Sequence, residues 1–271
     1  MIFCLFFSST CACGRAFKAE LDALRRIEHP NVIRLFAYNR VSSEDARHML
    51  FMEFAKGGEL LDRLQSDGPL GEYDAAIYFS QMVSAVDASH RAGVAHLDLK
   101  LENFVLTACG KIKLIDFGLS HVYHLDANTG EYDRSTPLQN KGGSRHYIAP
   151  EVLTGKGYDG FRADVWSLGI CLFAMIFNGL FKYSHKAKAS PTSAFKKSES
   201  EEVCDLIDRM LVLDPASRLT IAQIEDHEWI DRSDNHKAQT LLTFKPVSGS
   251  DPESKPDSPV TVTTAVPPPT F

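Results

Sequence analysis

Glycine is almost missing from the start of this chain. Gly14 is the one glycine before Gly57, so no glycine-rich loop around a phosphate can form between them. Lysine is as scarce there, with Lys18 alone before Lys56. An excess of basic charge is missing from the whole: 29 Lys and Arg stand against 35 Asp and Glu, a net charge of −6. That lacks the basic footprint of a nucleic-acid binder. Six cysteines in 271 residues are too few and too scattered for a disulfide framework. Cys109, Cys171 and Cys204 stand alone and read as reduced, buried thiols. Cys11 and Cys13 are too close together for a zinc knuckle, and no second ligand pair follows. No apolar run is long enough to span a bilayer; Val165 to Phe177 is the longest within the body of the chain and fits a buried helix. The chain therefore carries no sign of a nucleic-acid or membrane partner, and it has no internal repeats.

The first fourteen residues, MIFCLFFSSTCACG, differ from the rest. Their apolar run lacks the basic residues that precede the apolar core of a signal peptide. It reads as a segment foreign to the domain that follows.

The remainder is long enough for one large domain or two lobes with a self-sufficient core. Phe17, Leu21, Leu24 and Ile27 recur at helical spacing, which predicts a helix over residues 16–29, stopped by Pro30. "NVIRLFAY" and "HMLFMEFA" read as strands. "KGGELLDRL" turns at its glycines and opens a short helix, and residues 74–90 form a second amphipathic helix. "NFVLT" and "KIKLIDF" make a hairpin around Gly110. Residues 119–148 are polar and without periodicity, a loop long enough to be functional. A buried helix after Asp164 follows, and "EEVCDLIDRMLV" and "TIAQIEDHEWI" are helical. Strands come early and helices late, which predicts a two-lobed α+β protein. Residues 182–197 carry five lysines and no acid, and residues 244–271 form a Pro/Ser/Thr-rich tail that cannot fold.

Phosphoryl transfer needs a base for the attacking hydroxyl, a cation on the phosphate and oxygen ligands for magnesium. "HLDLKLENF", His96 to Phe104, followed by "DFG" at Asp116–Gly118, supplies them in one stretch. Asp98 can accept a proton, Lys100 can reach a γ-phosphate, and Asn103 and Asp116 donate oxygens. A hairpin between them returns Asp116 to the side of Asn103.

From residue 17 to about 231 the sequence resembles a eukaryotic protein kinase. "HLDLKLENF" resembles its catalytic loop, "DFG" its magnesium loop, and "APE" at Ala149–Glu151 the end of its activation segment. "DVWSLG" at Asp164–Gly169 is similar to the start of its central helix. "DPASRLT" at Asp214–Thr220 is similar to the late segment whose arginine, Arg218, pairs with Glu151. The resemblance implies a two-lobed kinase-like fold: an atypical segment over 1–14, a domain over 15–231 with an incomplete small lobe to residue 55, and a mostly α-helical lobe from 56. It implies ATP and Mg2+ as cofactors, and Asp98 and Lys100 as catalytic residues. Asn103 and Asp116 would be the metal ligands. It also implies Glu20 as the helix glutamate that meets a strand lysine, and Met52 as the gatekeeper. Backbone groups at Glu53 and Ala55 would face adenine, Glu59 would meet ribose or a basic substrate residue, and Val105 would form the adenine floor. Lys100, two places after Asp98, is the serine/threonine pattern. "LKLENFVL" and "SRHYIAPEVL" are nearest to the calcium/calmodulin-regulated branch. The implied partner is a protein substrate with basic residues near its target hydroxyl, to which Glu59 and Glu102 would respond. The implied location is cytoplasmic, with the nucleus as the alternative.

Departures from the family pattern set further expectations. The glycine-rich loop and strand lysine that should precede Glu20 are not there. Glu20 could then be no more than a solvated helix residue, and the strand through Met52 would be left with an open apolar edge. A non-catalytic module that binds kinase partners is the alternative function. Leu97 stands where many kinases carry the arginine that reads loop phosphate, so activity should depend little on Ser135, Thr136 or Ser144 being phosphorylated. Ser144 also matches a position that touches the catalytic aspartate and lysine. His96 is expected to pack under Phe117. "GKGYDG" at Gly155–Gly160 spells a nucleotide fingerprint, but it precedes a helix with no strand leading in and reads as a turn.

Overall fold

In the computed structural model the described residues are 2–8, 11–39, 47–140, 142–179, 191–193 and 199–230. The lysine-rich stretch (apart from Pro191–Ser193) and the tail lie outside them.

The chain opens with strand β1 (Ile2–Ser8), helix α1 (Cys11–Leu24), β2 (Leu35–Asn39) and β3 (Arg47–Glu53). The strands form one antiparallel sheet in the order β1-β3-β2. The expected open edge of β3 is therefore filled. The foreign-looking segment pairs with it without a break, from Ile2 opposite Glu53 to Ser8 opposite Arg47. Its residues are apolar and aromatic, which suits a half-buried pleated surface. Helix α1 likewise begins five residues before the predicted Ala16. Side chains alternate across a strand, so His48, Leu50 and Met52 share one face of β3. Phe17 of α1 stacks on His48 with ring centroids 4.6 Å apart, which seats α1 on that face.

The second lobe holds α2 (Leu60–Asp67), α3 (Glu72–Arg91), α4 (Pro150–Thr154), α5 (Gly160–Phe177), α6 (Glu201–Met210) and α7 (Ile221–Glu225). Helix α5 is apolar all round, the mark of a helix packed on every side; Leu168, Cys171, Leu172 and Met175 are all fully buried. Helices α3 and α6 pack against it. The approach of α5 to the end of α6 requires Gly169, where a Cβ would sit 2.9 Å from Leu211 and 3.0 Å from Met210 Cβ. Cys171 and Cys204 are buried as expected, but Cys109 is exposed. It sits in the tight turn of the hairpin, where its thiol is lowered chiefly by a hydrogen bond with Thr107.

Two short strand pairs and a small hairpin follow in the segments between the lobes and beyond them. β5 (Phe104–Leu106) and β6 (Ile112–Leu114) form the predicted hairpin. β4 (Val94–Ala95) pairs with β7 (His121–Val122), inside the stretch expected to be plain loop. That stretch also contains a small hairpin over residues 124–133. It is closed by Asp126 N–H to Glu131 O and Asp133 N–H to His124 O, both 2.8 Å. The GKGYDG stretch is a turn: Gly155 ends α4 in the left-handed region and Gly160 opens α5.

Candidate active site

The loop from β4 to β5 is held from beneath by α5. Asp164 lies near the start of that helix, four residues after Gly160, and is 1% exposed. One of its carboxylate oxygens accepts the His96 N–H and the other the Leu97 N–H, both at 2.8 Å. Leu97 takes a φ of 65°. A residue with a Cβ pays strain in this left-handed region, and the Asp164 bond fixes its amide there. The result sets Asp98 beside Lys100 and Ser144.

Asp98 is pinned at both oxygens. Oδ1 accepts the Ser144 N–H at 2.7 Å, and Oδ2 lies 3.0 Å from Lys100 Nζ. Lys100 also donates to Ser144 Oγ at 3.1 Å. Burial disfavours the Lys100 charge, but the bond to Asp98 outweighs it and the ammonium is held above its ordinary pKa. Lys100 is therefore a cation through the neutral range. Ser144 touches both residues, as its position implied.

Asn103 donates its amide N–H to Asp98 O at 2.9 Å, and its own carbonyl accepts the Ile115 N–H at 2.9 Å. The second bond closes the hairpin and brings Asp116 back to the catalytic loop. Asp116 has a φ of 63°, and its Oδ1 accepts the Gly118 N–H at 3.3 Å. His96 lies against Phe117, with centroids 4.7 Å apart. Its Nε2 donates to Ile115 O and its Nδ1 accepts the Asp98 N–H. Burial lowers its pKa, so it is a neutral brace.

Glu20 is not a solvated helix residue. It occupies the buried stripe of α1, 1% exposed, beside Phe17, Leu21 and Leu24. Burial first, and then the charge of Asp116, push its carboxyl up to about 8, against one stabilising bond from the Phe117 N–H. No cation is among the groups that act on it, and β1, alongside β3, carries no charged residue.

The residues expected to face adenine and ribose lie at the end of β3 and in the segment that follows it. Glu53 ends β3, and its side chain pairs with Lys113 of β6 at 2.7 Å. Ala55 is half-buried in the linker beyond it. Glu59 forms an isolated bridge with Val105. The bridge needs Gly57, where a Cβ would meet Leu106 at 2.7 Å.

These residues fit one of the two groups the pattern requires better than the other. Asn103 turns its amide N–H to Asp98, which leaves its side-chain oxygen available beside Asp116. That is a hard oxygen pair suited to Mg2+. For the phosphates of ATP, Lys100 is the one cation bonded into this cluster, and nothing among the described residues takes the place of a glycine-rich cover.

Comparison with known proteins agrees with this geometry. Residues 8–230 match the family model described as "Protein kinase domain". The chain belongs to the protein kinase family. It is 37% identical over 225 residues to CBL-interacting protein kinase 9 of Oryza sativa subsp. japonica, covering 79% of this chain and 46% of that one. It is 37% identical over 234 residues to serine/threonine-protein kinase SIK2 of Gallus gallus, covering 83% of this chain and 27% of that one. The mouse serine/threonine-protein kinase SIK1 is 39% identical over 220 residues, 78% of this chain and 26% of its own. The chain thus spans about half the length of the plant relative and about a quarter of the animal ones. These relatives are serine/threonine kinases, as the Asp98–Lys100 spacing indicates.

Sequence reasoning missed two supports of the site. The DVWSLG motif marks Asp164 only as a helix start, although a carboxylate among the apolar residues of a helix signals a buried acceptor. The Glu53–Lys113 pair links residues sixty positions apart and leaves no local pattern.

Proposed function

We propose that this chain transfers the γ-phosphoryl group of ATP to serine or threonine hydroxyls of a protein substrate. The observation that carries the reading is the Asp98–Lys100–Ser144 cluster, which aims a carboxylate and an ammonium at one point. Asp98 orients the attacking hydroxyl and accepts its proton as the oxygen–phosphorus bond forms and the bond to the leaving ADP oxygen breaks. Lys100 stays protonated beside the transferring group and offsets its charge. Asn103 and Asp116 would hold Mg2+, which when bound supplies charge neutralisation at the phosphates.

A basic substrate side chain suits the rim. Burial and then the nearby carboxylates Asp62 and Glu102 raise the Glu59 carboxyl, with Lys100 opposing. Glu102 Oε2 is a buried oxygen without a hydrogen-bond partner. An arginine or lysine of the substrate beside Glu59 would offset that crowding of carboxylates.

A specific observation favours a second reading, a module that binds partners without turnover: Glu20 is buried beside Asp116 with no cation. One experiment separates the two. Thermal unfolding is followed with ATP, with and without Mg2+, beside transfer of labelled phosphate to a basic serine peptide. A magnesium-dependent shift, with transfer reduced about 10²- to 10⁴-fold in Asp98→Asn, the usual worth of a general base, supports the enzyme. A stable fold with no shift and no transfer supports the module.

A further inference from the structure

The start of α5 joins the catalytic loop to the segment between DFG and APE, and the joint on the segment side is Arg134. Asp159 caps α5 by accepting the Phe161 N–H on Oδ1 at 2.9 Å, while its Oδ2 accepts from Arg134 at 3.0 Å. The Arg134 guanidinium also lies over the Phe161 ring, 5.2 Å from its centroid. Phe161 stacks on His90 at 4.1 Å. His90 Nε2 lies 2.9 Å from Asp164 Oδ2, the same oxygen that accepts the His96 N–H. Asp98 follows two residues later. Every link from Arg134 to the catalytic loop is thus a side-chain contact at the start of α5 or with His90 of α3.

Arg134 is itself presented by a rigid local structure. The 124–133 hairpin ends at Asp133, whose Oδ1 accepts both the Ser135 N–H at 2.9 Å and its hydroxyl at 2.6 Å. Tyr132 of the same hairpin lies against Gly93, where a Cβ would run into its ring. Tyr123 adds an edge contact to Phe161 at 5.1 Å and accepts the Gly160 N–H at 2.9 Å. The charge arrangement reverses the one expected of a phosphate-read segment. The loop carries the cation and the helix carries the anion, while Leu97 holds no charge to read a phosphate.

We propose that Arg134 is a positioning residue that holds the catalytic loop in register through the start of α5. Its place in catalysis rests on the reading of Asp98 as the base. Because a packed chain of side chains carries the effect, coupling of roughly two- to thirtyfold is expected.

The test compares the full chain with Arg134→Ala, Arg134→Lys and Arg134→Met. Amide hydrogen exchange by NMR is read at His96 and Leu97, with α3 and α6 amides as reference, beside kcat and KM for peptide phosphorylation. In Arg134→Ala, exchange at His96 and Leu97 rises by roughly two- to thirtyfold while the reference amides hold. The kcat falls by a similar factor at unchanged KM for ATP. Arg134→Lys, which keeps the charge for Asp159, recovers part of both effects, and Arg134→Met recovers less. The proposal is overturned if His96 and Leu97 exchange as in the parent chain, or if all amides loosen together. Should the parent chain transfer no phosphate, the proposed function fails, and the exchange at His96 and Leu97 still decides the positioning role.

Discussion

Phe117 donates its backbone N–H to the Glu20 carboxylate, and that bond ties helix α1 to the magnesium loop. Two further contacts hold the helix. Ser120 Oγ donates to Ala19 O at 3.4 Å, and Phe17 stacks on His48. None is an ion pair. In the family pattern the same glutamate meets a lysine, whereas here it sits in an apolar stripe and the charge that acts on it is an anion, Asp116. A buried carboxyl without a cation avoids the desolvation cost of ionising by keeping its proton.

Stability should therefore depend on pH through Glu20. Its folded pKa of about 8 stands above the ordinary value of 4.5. A raised folded pKa means that the native state holds a proton the unfolded chain has released. The contribution is complete below about pH 4.5, shrinks as pH rises and is lost once pH passes about 8. Glu20→Gln removes this slope. In urea unfolding the variant should match the parent near pH 5 and exceed it near pH 8. Parallel stability curves for the two proteins over that range would show that Glu20 ionises normally.

A cation returned to the right strand should change both proton and nucleotide binding. Leu5 lies opposite Leu50, on the face of the sheet that α1 covers through the Phe17–His48 stack. Leu5→Lys places an ammonium toward the helix that carries Glu20. A hydrogen bond between charged partners is worth about 1.5–3 kcal/mol. Binding of Mg-ATP, measured by calorimetry, should thus tighten about tenfold or more, while Leu5→Met leaves it unchanged. Equal affinity in the lysine variant would show that β1 does not stand in for the lysine strand.

Loop phosphorylation should matter little, and the structure sharpens how to test it. Ser144 must stay in place, since its N–H and hydroxyl bond Asp98 and Lys100 directly. The informative residues are Ser135 and Thr136, both exposed. Thr136→Ala and Thr136→Glu should each phosphorylate peptide within about twofold of the parent, because the uncharged Leu97 offers no charge-assisted partner to a phosphate or its mimic. Ser135→Ala should behave likewise, since its backbone N–H still bonds Asp133. A large gain from Thr136→Glu would reveal a phosphate-reading cation elsewhere.

The catalytic loop was legible because its chemistry is local: Asp98, Lys100 and Asn103 lie within six residues, and a hairpin of plain pattern returns Asp116. The fold of the larger lobe was legible for a similar reason, since its helices announce their buried faces by spacing. What escaped the sequence depends on distant partners. A short apolar run can be a strand, a leader or a core segment, and only pairing with Arg47–Glu53 made Ile2–Ser8 a strand. Glu20 looked solvent-facing because the lysine that marks its role was gone, although its spacing from Phe17 and Leu24 already placed it in the apolar stripe. Arg134 and Asp159 are 25 residues apart, in a segment whose polarity hides its order.

Two motifs far apart in the chain meet at a charge that the fold cannot leave unpaired. The Arg218 side chain has no exposed surface, and its guanidinium reaches both Glu151 oxygens, at 2.8 and 3.0 Å. It also donates to Val212 O and Arg162 O and lies over Trp166. The carbonyls satisfy hydrogens but do not balance charge. Truncating Glu151 to alanine strands the guanidinium in the core, and breaking such a buried pair from one side costs about 3–5 kcal/mol. Urea unfolding of Glu151→Ala should show that loss, at an m-value close to the parent's. Because α4 carries Glu151 and ends the segment that presents Ser144, the peptide-phosphorylation rate should fall as well, even well below the unfolding midpoint. A loss under about 1 kcal/mol would rank the pair with ordinary surface bridges and remove it as the clamp between α4 and the end of the lobe.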